Sequence, residues 1–333
     1  MHLELKQMIK STLYNIKCLL ILLLVVANYS CSESLEKTTS LKTLNNETVS
    51  LVILGTVQDG GSPHIACKKN CCKNLFQHPD PDRMVVSLGL IDPINRKKYL
   101  FEATPDISQQ MKLLKELSNT EDETPDGCFL THAHIGHYTG LMYLGKEALG
   151  GNGVPVYAMP KMKSFLEKNG PWDQLVKQGN ISIKDLSASK TVPLSNELSI
   201  TPFTVPHRDE YSETVGYKIK GPNKSALFIP DIDKWEKWKL NIIEELAKVD
   251  YAFLDATFYD GEEINNRDIS EIPHPFVIES MKLFKKLSKA EKDKIYFIHF
   301  NHTNPALVKN SKAARQIERN GFHIATVKAT FEL

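Results

Sequence analysis

Short runs of apolar residues, separated by polar or glycine- and proline-rich stretches, recur along the chain from residue 50 onward. Their length and their content of Val, Ile, Leu and Phe are typical of buried strands. We predict strands over residues 50–57, 126–131, 154–158, 198–205, 214–220, 225–229, 251–255 and 294–298, and a hairpin whose strands cover 84–91 and 98–103.

Longer segments between these runs suit helices, and Pro105 can open the first of them. We predict helices over residues 105–117, 141–149, 161–168, 241–247, 275–287 and 305–320. Strands and helices alternate through the chain, an order that produces sheets covered by helices. The residues therefore predict an α/β fold, built in layers as a single domain over residues 50–333.

The N-terminus follows another pattern. Lys6, Lys10 and Lys17 precede the apolar run 18–27, which is too short for a comfortable membrane span but suits the core of a secretory signal. A cleaved signal without further modification and an uncleaved anchor are two interpretations of this run.

A third interpretation takes in the residues that follow. Small Ser30 precedes Cys31, and a polar stretch comes next, an order that resembles a bacterial lipoprotein signal. We favour this interpretation and expect a lipoprotein-type signal peptide over residues 1–30, a lipid on the sulfur of Cys31 and a tether over 31–49. The protein would then be exported and held at a membrane by its lipid.

Composition and charge limit the classes of partner. The chain has 333 residues, of which 41% are hydrophobic and 24% charged, and its net charge is +1. Such a balance does not attract nucleic acid or an anionic membrane surface. The basic run 234–239 carries two Trp, but it is short and is interpreted as the start of an amphipathic helix. We therefore expect a small-molecule substrate and no nucleic acid.

Three of the eleven histidines lie within six positions. His132 and His134 alternate directly after a predicted strand, so an extended backbone puts both rings on one side, and Gly136 permits a turn before His137. Neutral imidazole is a common metal ligand. The alternative is a polar loop with chance histidines, but their density favours a metal site.

Other candidate ligands also follow predicted strands. His207 comes after the strand 198–205, Asp231 after 225–229 and His299 after 294–298. Loops at strand ends collect functional groups on a rigid scaffold, so the repetition favours one shared site.

This order of residues resembles the metallo-β-lactamase superfamily, whose hallmark is His-x-His-x-Asp-His followed by a His, a bridging Asp and a last His. The resemblance implies a four-layer αββα sandwich with the site at one edge of two sheets. It also implies that His132, His134 and His207 hold a first metal, that His137 and His299 help to hold a second, and that Asp231 bridges both.

One position departs from the superfamily pattern. Gly136 stands where the family has an Asp that ligates the second metal. Either the second metal binds more weakly, or another acid substitutes. Asp59, which follows the first strand, is a candidate substitute, and Asp255 is a second acid at a strand end.

A second group of metal ligands is suggested by Cys67, Cys71 and Cys72, three of the six cysteines. In an exported protein disulfides are the first alternative. Adjacent Cys71 and Cys72 pair with each other only under strain, however, and three clustered thiols without evident partners suit zinc.

The segment Gly60-Gly61-Ser62-Pro63, followed by the thiols, resembles the branch that contains coenzyme PQQ synthesis protein B and the cyclic phosphodiesterase of phosphonate breakdown. That resemblance implies a closed structural zinc site of three Cys and His302, which lies three residues beyond His299. His64 is an alternative to one thiol. The segments 299–305 and 213–217 resemble the PQQ synthesis protein B family, although this chain keeps histidines that familiar members lack.

Together these features predict a metal-dependent hydrolase of a small phosphodiester or other ester, with Zn²⁺ as one or two catalytic ions and one structural ion. Iron or manganese is an alternative at the catalytic site. Asp231 would hold the nucleophile, and His137, Arg208 or His274 would assist the leaving oxygen. The other interpretations are an oxidative step in the biosynthesis of a cofactor of the pyrroloquinoline quinone type, and a lipid-anchored protein that binds metal without catalysis.

Overall fold

The computed structural model describes residues 47–208, 210–265 and 267–333, which all belong to one compact unit. The predicted signal peptide, the lipidation site Cys31 and the tether up to residue 46 lie outside the described residues. Within the described ranges, no helix is long and apolar enough to cross a membrane.

The described residues form two sheets of seven strands each. The first sheet has the order β14-β1-β2-β3-β4-β5-β6. Its strands are β1 (Ser50–Gly55), β2 (Ser87–Asp92), β3 (Lys97–Phe101), β4 (Gly127–Phe129), β5 (Val154–Ala158), β6 (Ile181–Asp185) and β14 (Thr330–Glu332).

The second sheet has the order β13-β12-β11-β10-β9-β8-β7. Its strands are β7 (Val192–Pro193), β8 (Ser199–Thr204), β9 (Val215–Lys220), β10 (Ser225–Ile229), β11 (Tyr251–Asp255), β12 (Ile295–Ile298) and β13 (His323–Ile324). Both sheets combine antiparallel and parallel halves. The parallel pairs run from β3 to β6 in the first sheet and from β10 to β13 in the second. Parallel strands end at the same edge, so the loops that follow them lie together.

The central strands of each sheet are buried on both faces, which separates the apolar residues into three cores. In β1, Leu51 and Ile53 point into the core between the sheets, whereas Val52 and Leu54 point into an outer core under helices. The second sheet repeats this alternation, since Phe228 of β10 lies in the central core and its neighbours lie in the other outer core. Two sheets between two helical layers form the expected four-layer αββα sandwich.

The two sheets are joined directly beneath the histidine loop. The hydroxyl of Tyr217 in β9 donates a hydrogen bond to the Leu130 carbonyl, and the Val215 amide donates to the Thr131 carbonyl at 3.2 Å. The ring of Tyr217 also packs against Phe129. These contacts fix the position at which the chain leaves β4 and enters the histidine motif.

The helices of the described residues are Ile107–Ser118, Ile135–Tyr138, Pro160–Lys168, Trp172–Lys177, Ile242–Leu246, Val277–Leu283, Lys289–Lys292 and Lys312–Arg319. Segments of 3₁₀ helix cover Thr139–Leu144, Trp235–Lys237, Gly261–Ile264, Ile269–Glu271, Phe284–Lys286 and Pro305–Leu307.

Two predicted helices are wrong in form. The segment 141–149 is a 3₁₀ helix that ends at Leu144, where Gly145 takes an extended conformation. The segment 305–320 is interrupted because Asn310 has a positive φ of 62° and the Ser311 hydroxyl caps a new helix by accepting from the Ala314 amide. Strands β6, β7, β13 and β14 were absent from the prediction; three of them are short edge pairings that carry little sequence signal of their own.

Candidate metal centre

Seven strands deliver polar side chains to one edge of the sandwich. His132 follows β4, His207 follows β8, Asp231 follows β10 and His299 follows β12, as the sequence predicts. Asp59 and Glu102 follow β1 and β3, and Asp255 ends β11. Glu102 and His299 have positive φ angles of 72° and 67°, conformations that non-glycine residues adopt mainly where a functional site holds them.

The first donor set contains His132, His134, His207 and Asp231, all of which the sequence predicts. The Nδ1 atom of His134 lies 2.9 Å from His132 Nε2 and 3.4 Å from His207 Nε2. The Asp231 Oδ2 atom is 3.4 Å from His132 Nε2 and 3.3 Å from His207 Nε2. Two ligands bound to one tetrahedral zinc at about 2.0–2.1 Å lie roughly 3.4 Å apart, so these atoms fit one ion.

The second donor set contains Asp59, His137, Asp231 and His299. Asp59 Oδ1 is 2.9 Å from His137 Nε2 and 3.5 Å from His299 Nε2. Asp231 Oδ2 is 3.8 Å from His137 Nε2 and 3.9 Å from His299 Nε2. One carboxylate oxygen of Asp231 therefore faces four imidazole nitrogens and belongs to both sets.

One buried nitrogen of this set has no hydrogen bond within the described part of the chain, and a bound metal would account for it. The Nε2 atom of His299 is buried and has no hydrogen-bond partner among the described residues. A buried polar atom without a partner is costly, and metal ligation would satisfy it. The residues present thus fit the metal ions that the superfamily resemblance implies.

A further shell of polar groups orients the ligands. The Thr131 hydroxyl lies 2.9 Å from His132 Nδ1, and the Thr257 hydroxyl lies 2.8 Å from His299 Nδ1. Glu102 Oε1 lies 3.2 Å from His137 Nδ1. Such contacts fix which ring nitrogen is free for a metal. Glu102 and Thr257 were not selected from the sequence, although Glu102 follows a strand like the other site acids.

Burial and neighbouring charges shift the pKa values of the first set. Burial lowers the pKa values of His132, His134 and His207, which favours the neutral imidazole that binds metal. Burial opposes ionisation of Asp231 as well, but the neighbouring histidines outweigh it and hold its pKa well below the usual range. Asp231 is therefore a carboxylate.

Asp255 and His274 form a buried pair behind Asp231. The Nδ1 atom of His274 is 2.9 Å from Asp255 Oδ2 and 3.2 Å from Asp231 Oδ1. Burial disfavours the imidazolium, but Asp255 and Asp231 outweigh it and raise the pKa of His274 to about 10. With these contacts, His274 and Asp255 lie within the centre, and together with Asp231 and His299 they form a further group of possible metal ligands.

Arg208 lies at the outer rim, exposed to solvent. Burial, with a smaller contribution from the Arg208 charge, lowers the pKa of His134. The exposed Glu210 carboxylate is 3.6 Å from His134 Nε2, so the rim carries both signs of charge. A catalytic role for Arg208 stays a prediction.

The thiols and His302 form a separate cluster, as the sequence predicts. The Sγ atoms of Cys67 and Cys71 are 3.8 Å apart, and those of Cys71 and Cys72 are 3.9 Å apart. Two sulfurs bound to one zinc at about 2.3 Å lie roughly 3.8 Å apart, and a disulfide needs about 2.05 Å. The described cysteines are free thiols, which disagrees with the disulfide alternative.

His64 supports the cluster without joining it. Its ring stacks on His302 with centroids 4.4 Å apart, its backbone amide donates to Cys72 Sγ, and its Nδ1 lies 2.7 Å from the Ile65 carbonyl. The His64 ring therefore lies outside the group of four possible zinc ligands and does not take the place of a thiol.

A sequence profile of the beta-lactamase superfamily domain matches residues 97–300. Coenzyme PQQ synthesis protein B of Methylorubrum extorquens (strain PA1) is 24% identical over 314 residues, which cover 85% of this chain and 99% of that protein. The same protein type from Gluconobacter oxydans is 23% identical, with 86% and 99% coverage.

Solved structures agree on the fold. The Zn²⁺-bound PqqB from Methylobacterium extorquens has a TM-score of 0.70 at 21% identity, covering 85% of this chain and all of the other. A diphosphatase from the PhnP family has a TM-score of 0.61 at 22% identity, with 86% and 97% coverage. The profile spans more than half of the chain and the relatives span nearly all of the described part, so the chain belongs to the beta-lactamase superfamily and is homologous to coenzyme PQQ synthesis protein B.

Proposed function

We propose that this protein is a metal-dependent hydrolase of a small phosphodiester or other ester. The observation that carries the proposal is the sharing of Asp231 Oδ2 by two complete donor sets. Each set also has one side chain open to solvent, since His134 is 16% exposed and Asp59 is 13% exposed. A substrate would approach each set past this partly exposed side chain.

The first set would hold one metal ion and the second set another, with zinc as the preferred ion and iron or manganese as alternatives. When bound, such ions lower the pKa of water and polarise an ester oxygen. Three thiolates and one imidazole in a closed cluster suit a structural zinc. We propose that this zinc ties the 67–72 loop to the segment after β12.

The chain's own residues supply the proton transfers. In hydrolysis a water molecule releases one proton to solvent as its oxygen adds to phosphorus or carbon, the ester bond breaks, and the leaving oxygen takes up a proton. The Asp231 carboxylate can orient the water by accepting its hydrogen bond. The Nδ1 atom of His274 is held by carboxylates, so Nε2 is the nitrogen from which a protonated His274 can donate to the leaving oxygen.

The rim favours a small substrate with an apolar part and offers it charged groups of both signs. Arg208 supplies a cation near His134, while Ile135 and Tyr211 are 60% and 66% exposed. Nucleic acid is not a favoured partner, because Trp235 and Trp238 in the basic run 234–239 are buried and do not offer stacking surfaces.

A second candidate function is a step in the biosynthesis of a cofactor of the pyrroloquinoline quinone type. Homology with PQQ synthesis protein B along nearly the whole described chain favours it. The diphosphatase from the PhnP family has the same fold and supports the hydrolase instead. Metal identity together with ester hydrolysis separates the two, because a hydrolase works with zinc or another Lewis-acidic ion, whereas an oxidative step needs a redox-active ion such as iron.

The test is elemental analysis of the purified protein together with hydrolysis of bis(p-nitrophenyl) phosphate and a panel of small cyclic phosphate esters. Zinc in the catalytic sets and ester hydrolysis that a chelator abolishes would support the hydrolase. Iron that copurifies, without esterase activity in the zinc or manganese form, would contradict it and favour the biosynthetic role.

We propose further that the protein is exported and anchored in a membrane through a lipid on Cys31. The support is the order of lysines, apolar run and Ser30-Cys31 along the N-terminus. A small-molecule substrate outside the cytoplasm would fit this location.

A further inference from the structure

Gly136 lacks a side chain for a reason of packing. A Cβ atom built on Gly136 would lie 2.5 Å from the Asp59 Cα, 2.6 Å from Asp59 Oδ1 and 2.9 Å from Asp59 Cβ. Real Cβ atoms do not approach so closely. Gly136 lies in the short helix Ile135–Tyr138 and is not among the glycines with positive φ, so backbone conformation does not demand glycine there.

The side chain that fills this space is a carboxylate in ligand position. Asp59 Oδ1 is 2.9 Å from His137 Nε2 and 3.5 Å from His299 Nε2, the two imidazoles of the second set. Asp59 comes from the loop after β1, whereas position 136 lies in the histidine motif after β4. The Asp59 side chain and position 136 are thus adjacent in the second set, although they belong to two different loops.

The Asp59 loop is anchored beside the second set. The Gln58 amide donates to the Phe300 carbonyl at 2.8 Å, and the Phe300 amide donates to the Thr56 carbonyl at 2.8 Å. Phe300 directly follows His299, so the backbone that presents Asp59 is bonded to the backbone that presents a second-set ligand. Such a connection holds donor atoms at the separation a metal requires.

We propose that Asp59 is a ligand of the second metal and takes over the role of the carboxylate that the superfamily motif places at position 136. Gly136 and Asp59 then form one structural unit: the glycine makes room for a carboxylate that arrives from another loop. The inference rests on the proposed metal centre and deepens it. It predicts that aspartate at position 136 and aspartate at position 59 exclude each other.

The experiment measures metal content per chain and zinc affinity by chelator competition in the full-length protein. Asp59→Asn keeps the side-chain volume and should weaken the second metal by more than about 100-fold while sparing the first set and the thiol cluster. Gly136→Asp alone should lower metal content and thermal stability, because two side chains compete for one space. Asp82→Asn, which changes an exposed carboxyl outside both sets, is the matched control.

The double variant Asp59→Gly with Gly136→Asp keeps the test decisive if a single variant folds poorly. It should regain the second metal that Asp59→Gly alone loses, and zinc at the thiol cluster reports that each variant is folded. The inference would be overturned if Asp59→Asn bound the second metal fully, or if the wild type held no second metal. It would also be overturned if the double variant bound no more of the second metal than the weaker-binding single variant. Loss of one metal in Asp59→Asn from a protein that hydrolyses no ester would uphold Asp59 as a ligand and contradict the hydrolase instead.

Discussion

Glu102 Oε1 lies 3.2 Å from His137 Nδ1, and both side chains are fully buried. The other oxygen of Glu102 accepts a hydrogen bond from the Thr131 amide at 3.3 Å. One carboxylate thus fixes the ring of a second-set ligand and the backbone next to His132. Although burial opposes it, the charges of Glu102 and Asp59 hold the pKa of His137 well above its usual range.

Replacing Glu102 by Gln should therefore weaken metal binding without removing a ligand. The amide keeps the shape but loses the charge that orients His137, and such changes cost about 10- to 100-fold in metal affinity. Chelator competition with zinc measures the effect. Asp92→Asn, which alters a buried carboxyl at the end of β2, is the control and should leave affinity unchanged.

His132→Ala should remove the first metal and with it any ester hydrolysis. His132 Nε2 faces both His134 and Asp231, so its loss opens the centre of the first set. Elemental analysis and a phosphodiesterase assay measure the two effects. His323→Ala is the control, because that residue pairs with Asp293 at a distant edge strand. Full activity in His132→Ala would mean that the site is wrongly assigned.

Cys71→Ser should lower zinc content and thermal stability while the catalytic sets keep their metal. Its sulfur lies between those of Cys67 and Cys72, and burial followed by the neighbouring thiols raises its pKa to about 12, so zinc binding there should release protons and strengthen with pH. Cys128→Ala changes a buried thiol away from the cluster and should spare the zinc. A free partner thiol exposed by Cys71→Ser would instead indicate a disulfide.

Glu263 predicts a pH dependence of stability. Burial raises its pKa from 4.5 to about 7, although the Thr303 hydroxyl and the Tyr259 amide donate to it. The folded state binds this proton more tightly than the unfolded chain, so its contribution is complete below pH 4.5 and is lost as the pH rises to about 7.

The measurement is the difference in Tm between wild type and Glu263→Gln from pH 5 to pH 8. Gln mimics the protonated acid and does not titrate. Wild type should lose stability relative to the variant over this range, by about 2–4 °C for each kcal/mol. The other titrating groups are the same in both proteins, so their contributions to the difference in Tm cancel. A constant difference would show that Glu263 ionises normally.

Cys31→Ala should abolish lipid attachment and release the protein from membranes. The sulfur of Cys31 is the proposed attachment atom, and alanine offers none. Incorporation of labelled palmitate and partition into detergent measure the outcome. Cys18→Ala, within the apolar run, is the control. Labelling that persists in Cys31→Ala would contradict the lipoprotein assignment.

Local patterns identified much of the fold and most of the site. The strands 154–158, 225–229 and 251–255 have the same bounds in sequence and structure, because each is a buried apolar run between clear boundaries. The rule that functional residues follow strands found His132, His207, Asp231 and His299. The short strands β13 and β14 were not predicted, because they form only by pairing with strands that lie far away in the sequence.

The sequence by itself determined the α/β class, the histidine motif and the three clustered thiols, since each depends on residues close together in the chain, whereas the αββα arrangement was implied by the resemblance to a known superfamily. Only the tertiary structure decided that Asp59 occupies the space beside Gly136 and that Glu102 orients His137. These pairs are separated by tens of residues, and their contact depends on how the loops after β1, β3 and β4 converge at one edge. That convergence follows from how the strands pair and how the core packs. Both depend on many contacts between residues far apart in the sequence, which local patterns do not specify.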